Sequence, residues 1–186
     1  RNNKKKFNFN LKNKKFKKKI IYIKLQKPFP NSKDLWQNQK IQRDYLLSGI
    51  KAKPDDFIMF SDPDEIPNPK ILKKLELKKD YGIFMQKSFC YKFNLFNPYE
   101  SPWEGTRIVK FKKLKSIDYM RQKILKKNLK KPFWKFYNNK SIQIFNNGGW
   151  HFNSLLTAKE ISTKLNTFAH SEFSSERYTN IKIIKK

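Results

Sequence analysis

The stretch Phe57-Ile58-Met59-Phe60-Ser61-Asp62-Pro63-Asp64-Glu65-Ile66-Pro67 constrains this chain more than any other. Four apolar residues run directly into three acids, with one proline among the acids and another after them. A short apolar run bounded by turn residues reads as a buried strand. Continuous apolarity, rather than alternation, points to a parallel strand covered on both faces. Such a strand delivers the residues after it to the carboxyl edge of an α/β sheet, where ligands bind. Pro63 disfavours the helical region for Asp62, so Asp62 is expected to be extended. In extended chain, residues i and i+2 point the same way, which aims Asp62 and Asp64 at one cation. Two hard carboxylates suit Mg²⁺ or Mn²⁺, which keep waters and take further ligands from a substrate's phosphates. The competing reading is a solvated turn, since Asp and Pro are common turn residues. An EF-hand is excluded: counted from Asp62, its Gly and Glu positions hold Pro67 and Lys73.

The acids stand out because the chain carries 43 Lys+Arg against 15 Asp+Glu, a formal net charge of +28. Taken alone, that charge suggests nucleic acid or an anionic membrane. Yet the cations are nearly all Lys, spread along the sequence among many Asn, Ile and Phe, as an AT-rich genome would encode. Arg, the residue favoured for base readout and phosphate clamping, occurs only at 1, 43, 107, 121 and 177. The charge is therefore read as compositional, with no nucleic-acid partner; peripheral contact of the Lys-rich surface with a membrane stays open. At 38% hydrophobic and 16% aromatic, the chain can bury a core within one domain spanning 1–186. No apolar run approaches the ~20 residues that cross a bilayer. A cytoplasmic or membrane-peripheral protein is expected, with room for an anchor upstream of Arg1. Cys90 is the single cysteine and forms no internal disulfide.

In chain order, residues 1–19 read as a basic arm or connector and Ile20–Ile23 as a strand. A helix follows over 32–50 with Ser32 as N-cap. Asn68 and Pro69 open a short helix. Alternating apolar residues from Ile83 to Leu95 predict a long strand with one buried face. After a tight turn over 102–105 comes a strand from Thr106 to Phe111, paired antiparallel with it. Ser116 caps a helix to Leu125, and 126–140 is a surface loop. Ile142–Phe145 is a strand that ends where Asn147-Gly148-Gly149 turn the chain. Thr157 and Glu160 make a capping box, and Ile161, Leu165 and Phe168 share a helix face. Ser174 caps one more helix, cut short by the chain end.

The acidic stretch Ser61–Pro67 resembles the Asp-X-Asp-Glu-Ile-Pro signature of glycosyltransferase family 17. Gly149-Trp150-His151-Phe152 is similar to that family's Gly-Trp-His block. Phe168-Ala169-His170-Ser171-Glu172 is similar to a Phe-Ser/Ala-His-X-Glu stretch of its bacterial members. The three blocks stand in family order and cover most of the chain. The family includes β-1,4-mannosyl-glycoprotein β-1,4-N-acetylglucosaminyltransferases. The resemblance implies a GT-A-type α/β domain with a mostly parallel sheet, helices on both faces, and a first strand lying upstream of Arg1. It implies inverting, metal-dependent transfer of a sugar, N-acetylglucosamine, from a nucleotide sugar such as UDP-N-acetylglucosamine to a glycan or glycoconjugate acceptor. Asp62 and Asp64 would hold Mn²⁺ or Mg²⁺, with His170 or His151 as a further ligand. Glu172, Glu104 and Glu65 are the candidate bases. Arg43, Trp103, Arg107 and Trp150 are candidate substrate contacts. A helix-surface salt bridge competes for Arg43, and a core position competes for Trp103. A phosphatase or nuclease, or a basic nucleic-acid-binding module, are the alternatives; the Asp-X-Asp phosphatase pattern wants a downstream Thr, and residue 66 is Ile.

Overall fold

A computed structural model describes residues 16, 18–26, 28–30, 34–121, 141–167 and 174–184. Helix α1 runs Leu35–Tyr45 and is continued by a 3₁₀ turn, Leu46–Gly49. Its N-cap is Asp34, whose carboxylate accepts from the Gln37 N–H at 2.9 Å, and not the expected Ser32. Ile20–Ile23 joins no sheet among the described residues; Ile21 and Tyr22 are exposed, while Ile23 packs on Gly49.

Five strands follow: β1 (Phe57–Phe60), β2 (Glu65–Pro67), β3 (Tyr81–Cys90), β4 (Trp103–Lys110) and β5 (Ile142–Asn153). Between them lie α2 (Pro69–Lys73) and α3 (Ile117–Arg121); after them come α4 (Ala158–Thr167), α5 (Glu176–Thr179) and α6 (Ile181–Ile184). The sheet order is β1-β4-β3-β5-β2, and only the β3–β5 pair is parallel. The sheet is therefore mixed rather than mostly parallel. The one parallel pair, β3 and β5, is separated by residues 91–141, long enough for the crossover that parallel neighbours need, whereas β4 returns after the loop 91–102 as an antiparallel neighbour of β3.

Burial corrects two further expectations. β1 is an edge strand, not a covered parallel one: Phe57 and Met59 face outward, while Phe60 is buried. β3 sits centrally, so Ile83, Phe84, Met85 and Gln86 are all buried and the alternation expected of a one-faced strand is lost. It also stops at Cys90, leaving Phe93 and Leu95 exposed in the loop beyond. The core joins Phe60, Tyr81 and Val109 to Ile117 and Met120 of α3. Each fully buried side chain of this size contributes about 1.5–3 kcal/mol. Helix α3 is placed by polar contacts as well. Asp44 of α1 accepts from the Ile117 and Asp118 N–H groups at 2.8 and 3.0 Å, and Ser116 Oγ accepts from the Tyr119 N–H at 2.9 Å.

β5 carries the site's second half through a bulge. Between the pairs Phe84–Phe145 and Gln86–Gly149, β3 advances two residues and β5 four. The excess sits at Asn147-Gly148-Gly149, so the expected turn is instead a distortion inside one long strand. Gly149 has φ +134°, and a Cβ there would lie 2.0 Å from the Ile66 carbonyl oxygen. Asn68 ties the bulge down, its N–H donating to Gly148 O at 2.8 Å and its side-chain amide to Asn147 O at 3.0 Å.

The sheet is also curled. β1 and β2 are consecutive in the chain yet form opposite edges. In a flat five-stranded sheet those edges would lie roughly 19 Å apart. The link over 61–64 is folded back on itself, because the Glu65 N–H donates to the Asp62 carbonyl at 3.0 Å. Two residues plus such a turn reach only about 14 Å. The edges must therefore approach, and the acidic turn closes the gap between them.

Candidate active site

The C-terminal halves of β3 and β5, the start of β4 and the turn between β1 and β2 meet at one end of the sheet. This is the carboxyl end of the parallel pair. Asp62 and Pro63 occupy the first two positions of the turn, which both residues favour. The turn sends the acidic side chains in different directions, unlike the extended segment expected from Pro63. Asp62 Oδ2 is held by Arg121 Nη2 at 2.8 Å and Arg43 Nη2 at 3.3 Å. Glu65 is buried. Its Oε1 accepts from Arg121 Nη1 at 2.8 Å and the Trp103 indole N–H at 2.9 Å, and its Oε2 from the Asp62 N–H at 3.2 Å.

Asp64 is different. Its side chain is 40% exposed, and Oδ2 faces His151 Nε2 at 3.7 Å. Register produces this pairing: β2 and β5 align Glu65 with His151, and the Phe152 N–H donates to the Asp64 carbonyl at 2.8 Å. Burial raises the Asp64 carboxyl pKa, but His151, the backbone N–H of Asp64 and Lys164 outweigh it, and the net position is below the ordinary carboxylate value. His151 is buried under Trp103, the rings stacked at 4.3 Å and 11°.

Arg107 is buried beneath this layer. It donates to the carbonyls of Met120, Glu104 and Gly105, and pairs with Glu104 Oε2 at 3.3 Å. Burial, then the neighbouring Arg121, lowers its pKa to about 10, which still leaves it charged at neutral pH. An open cleft of about 290 Å³ beside the bulge is lined by Gln86, Lys87, Ser101 and Asn147 among others, and none of the acidic-turn residues lines it.

The structure thus brings together Asp62, Asp64, Glu65, Arg43, Trp103, Glu104, Arg107 and His151. Several stand in other roles than the sequence suggested. Arg107 spends its donors on backbone and Glu104, so it braces the site from within. Trp103 covers His151 and donates to Glu65, which leaves no bare face for a sugar on the His151 side. Glu65 has both oxygens occupied and is no free base. Trp150, opposite Ile66, keeps an exposed ring. His170 and Glu172 lie outside the described residues. Arg121 was missed, because its partners lie 56 and 59 positions away and no spacing rule links them. Its rarity was the available signal: three of the five arginines, 43, 107 and 121, converge here in a chain whose cations are otherwise Lys.

The donor chemistry tests whether a divalent cation fits. The 3.7 Å between Asp64 Oδ2 and His151 Nε2 is too long for a hydrogen bond. The Asp64 carboxylate, 40% exposed, and the imidazole nitrogen that faces it suit a hard cation that keeps waters and takes phosphate oxygens. Asp62 fits less well, since two guanidiniums already hold its carboxylate. Among the described residues, no three His, Cys, Asp or Glu side chains converge as a ligand set.

A family model described as Glycosyltransferase family 17 matches residues 1–186. No curated protein and no solved structure matches the chain.

Proposed function

The chain belongs to glycosyltransferase family 17 and is a glycosyltransferase, and on that premise we propose a metal-dependent, inverting transfer at the acidic turn. The family implies a nucleotide-sugar donor and a glycan acceptor. We take the donor to be UDP-N-acetylglucosamine and the domain to be of GT-A type, one unit over 1–186. The observation that carries this reading is the exposed Asp64 carboxylate beside His151 at the carboxyl end of the parallel β3–β5 pair.

Asp64 and His151 would hold Mn²⁺ or Mg²⁺, with His170 as a further candidate. When bound, the cation offsets negative charge on the diphosphate leaving group. Arg43 lies at the rim, a quarter exposed, and is placed to turn from Asp62 toward the diphosphate. Asp62 and Arg121 hold the turn's shape. The acceptor hydroxyl oxygen bonds to the anomeric carbon as the bond from that carbon to the phosphate oxygen breaks, and a carboxylate takes the hydroxyl proton. Glu65 and Glu104 are committed to other partners, so we assign the base to Glu172. Trp150 offers an exposed ring for the acceptor.

A melting experiment tests the centre of this reading. Ligand at 100 times its Kd stabilises a fold by about 2.7 kcal/mol. UDP with Mn²⁺ should raise Tm, and UDP with a chelator should not. Asp64→Asn should abolish the shift while leaving the unliganded Tm nearly unchanged. Survival of the shift in Asp64→Asn would sink the proposed site.

A further inference from the structure

His151 is the end of a buried polar chain that the acidic turn does not explain. Its Nδ1 lies 3.3 Å from Ser88 Oγ, and Ser88 Oγ donates to Glu100 Oε2 at 3.0 Å. Ser88 is fully buried at the centre of the sheet, in register with His151 across the β3–β5 pair. Its N–H donates to Ser101 Oγ at 2.9 Å, which fixes the loop carrying Glu100.

The direction of these bonds decides the state of the imidazole. A hydroxyl has one proton, and an ionised carboxylate only accepts. With the Ser88 proton on Glu100, Ser88 Oγ can only accept from His151, so the ring proton must sit on Nδ1. A neutral ring then bears its lone pair on Nε2, the nitrogen facing Asp64. Stacking on Trp103 holds the ring plane. We infer that Glu100 and Ser88 are positioning residues that lock His151 in the Nδ1–H tautomer and present its Nε2 lone pair to a divalent cation beside Asp64. This rests on the cation reading above. It follows a general pattern, in which a ligating histidine donates its other N–H to a second group that fixes the tautomer; removing such a partner costs 10–100-fold in metal affinity.

The chain has two histidines, 151 and 170, so ring-nitrogen NMR at a pH where the rings are neutral resolves both, and His151→Gln assigns them. Wild-type protein should show His151 as the Nδ1–H tautomer. Ser88→Ala and Glu100→Ala should each move it toward the Nε2–H form, which can donate to Asp64, and weaken Mn²⁺ binding by 10–100-fold in titrations without nucleotide. Glu100→Asp, which keeps the acceptor, should restore part of both. An Nε2–H tautomer in the wild type would overturn the inference, as would an unchanged tautomer in both alanine variants. Should Ser88→Ala not fold, Glu100→Ala on the half-exposed loop carries the same test. A wild-type Nδ1–H tautomer that responds to both substitutions, in a protein that binds no Mn²⁺, would support the lock and remove the cation site alone.

Discussion

At the scale of single residues, the site is organised around who neutralises whom. Arg121 bridges Asp62 and the buried Glu65, while Arg43 meets Asp62 near the surface. Breaking a buried pair leaves a charge without compensation and costs 3–5 kcal/mol in general; exposed pairs are worth about 0–1 kcal/mol. Arg121→Met should therefore lower unfolding free energy by about 3 kcal/mol in urea, and Arg43→Met by less than about 1 kcal/mol. Equal losses would mean that Glu65 draws its compensation from Trp103 and the Asp62 N–H instead. Asp62 and Asp64 were legible in the sequence because three acids within four residues are conspicuous in a chain of net charge +28. Their divergence was not, because Pro63 fits both an extended segment and a turn, and the choice is made by arginines far away in sequence. Ser88 and Glu100 were invisible for a related reason: a serine inside an alternating strand carries no mark of what it faces.

Among the elements, local chemistry was read well and long-range distortion was not. The Asn68 cap, the Ser116 cap and the Thr157–Glu160 box all form as spacing predicts. Such contacts close within three residues, so the sequence contains both partners. The Thr157 hydroxyl, then its backbone N–H, hold the Glu160 carboxyl below its ordinary 4.5. A depressed carboxylate contributes stability that is present above the unfolded value and is lost as pH falls through the folded value. The N-terminus of α4 should thus fray below about pH 4.5, seen as lost amide protection at Thr157, and Thr157→Val should return Glu160 to its ordinary titration. The sequence predicts a turn where β5 bulges, because Asn-Gly-Gly serves either purpose. Only pairing with β3 on one side and Ile66 on the other keeps the chain in the sheet. Gly149→Ala meets both a left-handed backbone and the Ile66 carbonyl, so a loss of at least 1–3 kcal/mol is expected by thermal or urea denaturation. His151 should lose its register with Glu65 in the same variant, visible as a changed ring-nitrogen spectrum.

For the whole molecule, the net charge of +28 is the most conspicuous number and the least informative about mechanism. Fluorescence titration with duplex DNA in physiological salt should show nothing tighter than the 10⁻⁴–10⁻⁶ M of non-specific binding. Sub-micromolar affinity would make the basic surface a functional one. Strand order was beyond sequence reading, since nothing in a four-residue connection says that it joins the two margins of a sheet. That connection has a kinetic consequence. Both ends of the acidic turn are anchored to the edge strands of the sheet, so Asp62 and Glu65 are expected to gain their partners late in folding. Substitutions there should carry φ-values near zero. Arg121→Met, for all its cost in stability, should leave the refolding arm of the chevron in place and raise the unfolding rate by nearly the whole effect. The centre proposed for catalysis would then be the last part of the molecule to form and the first to open.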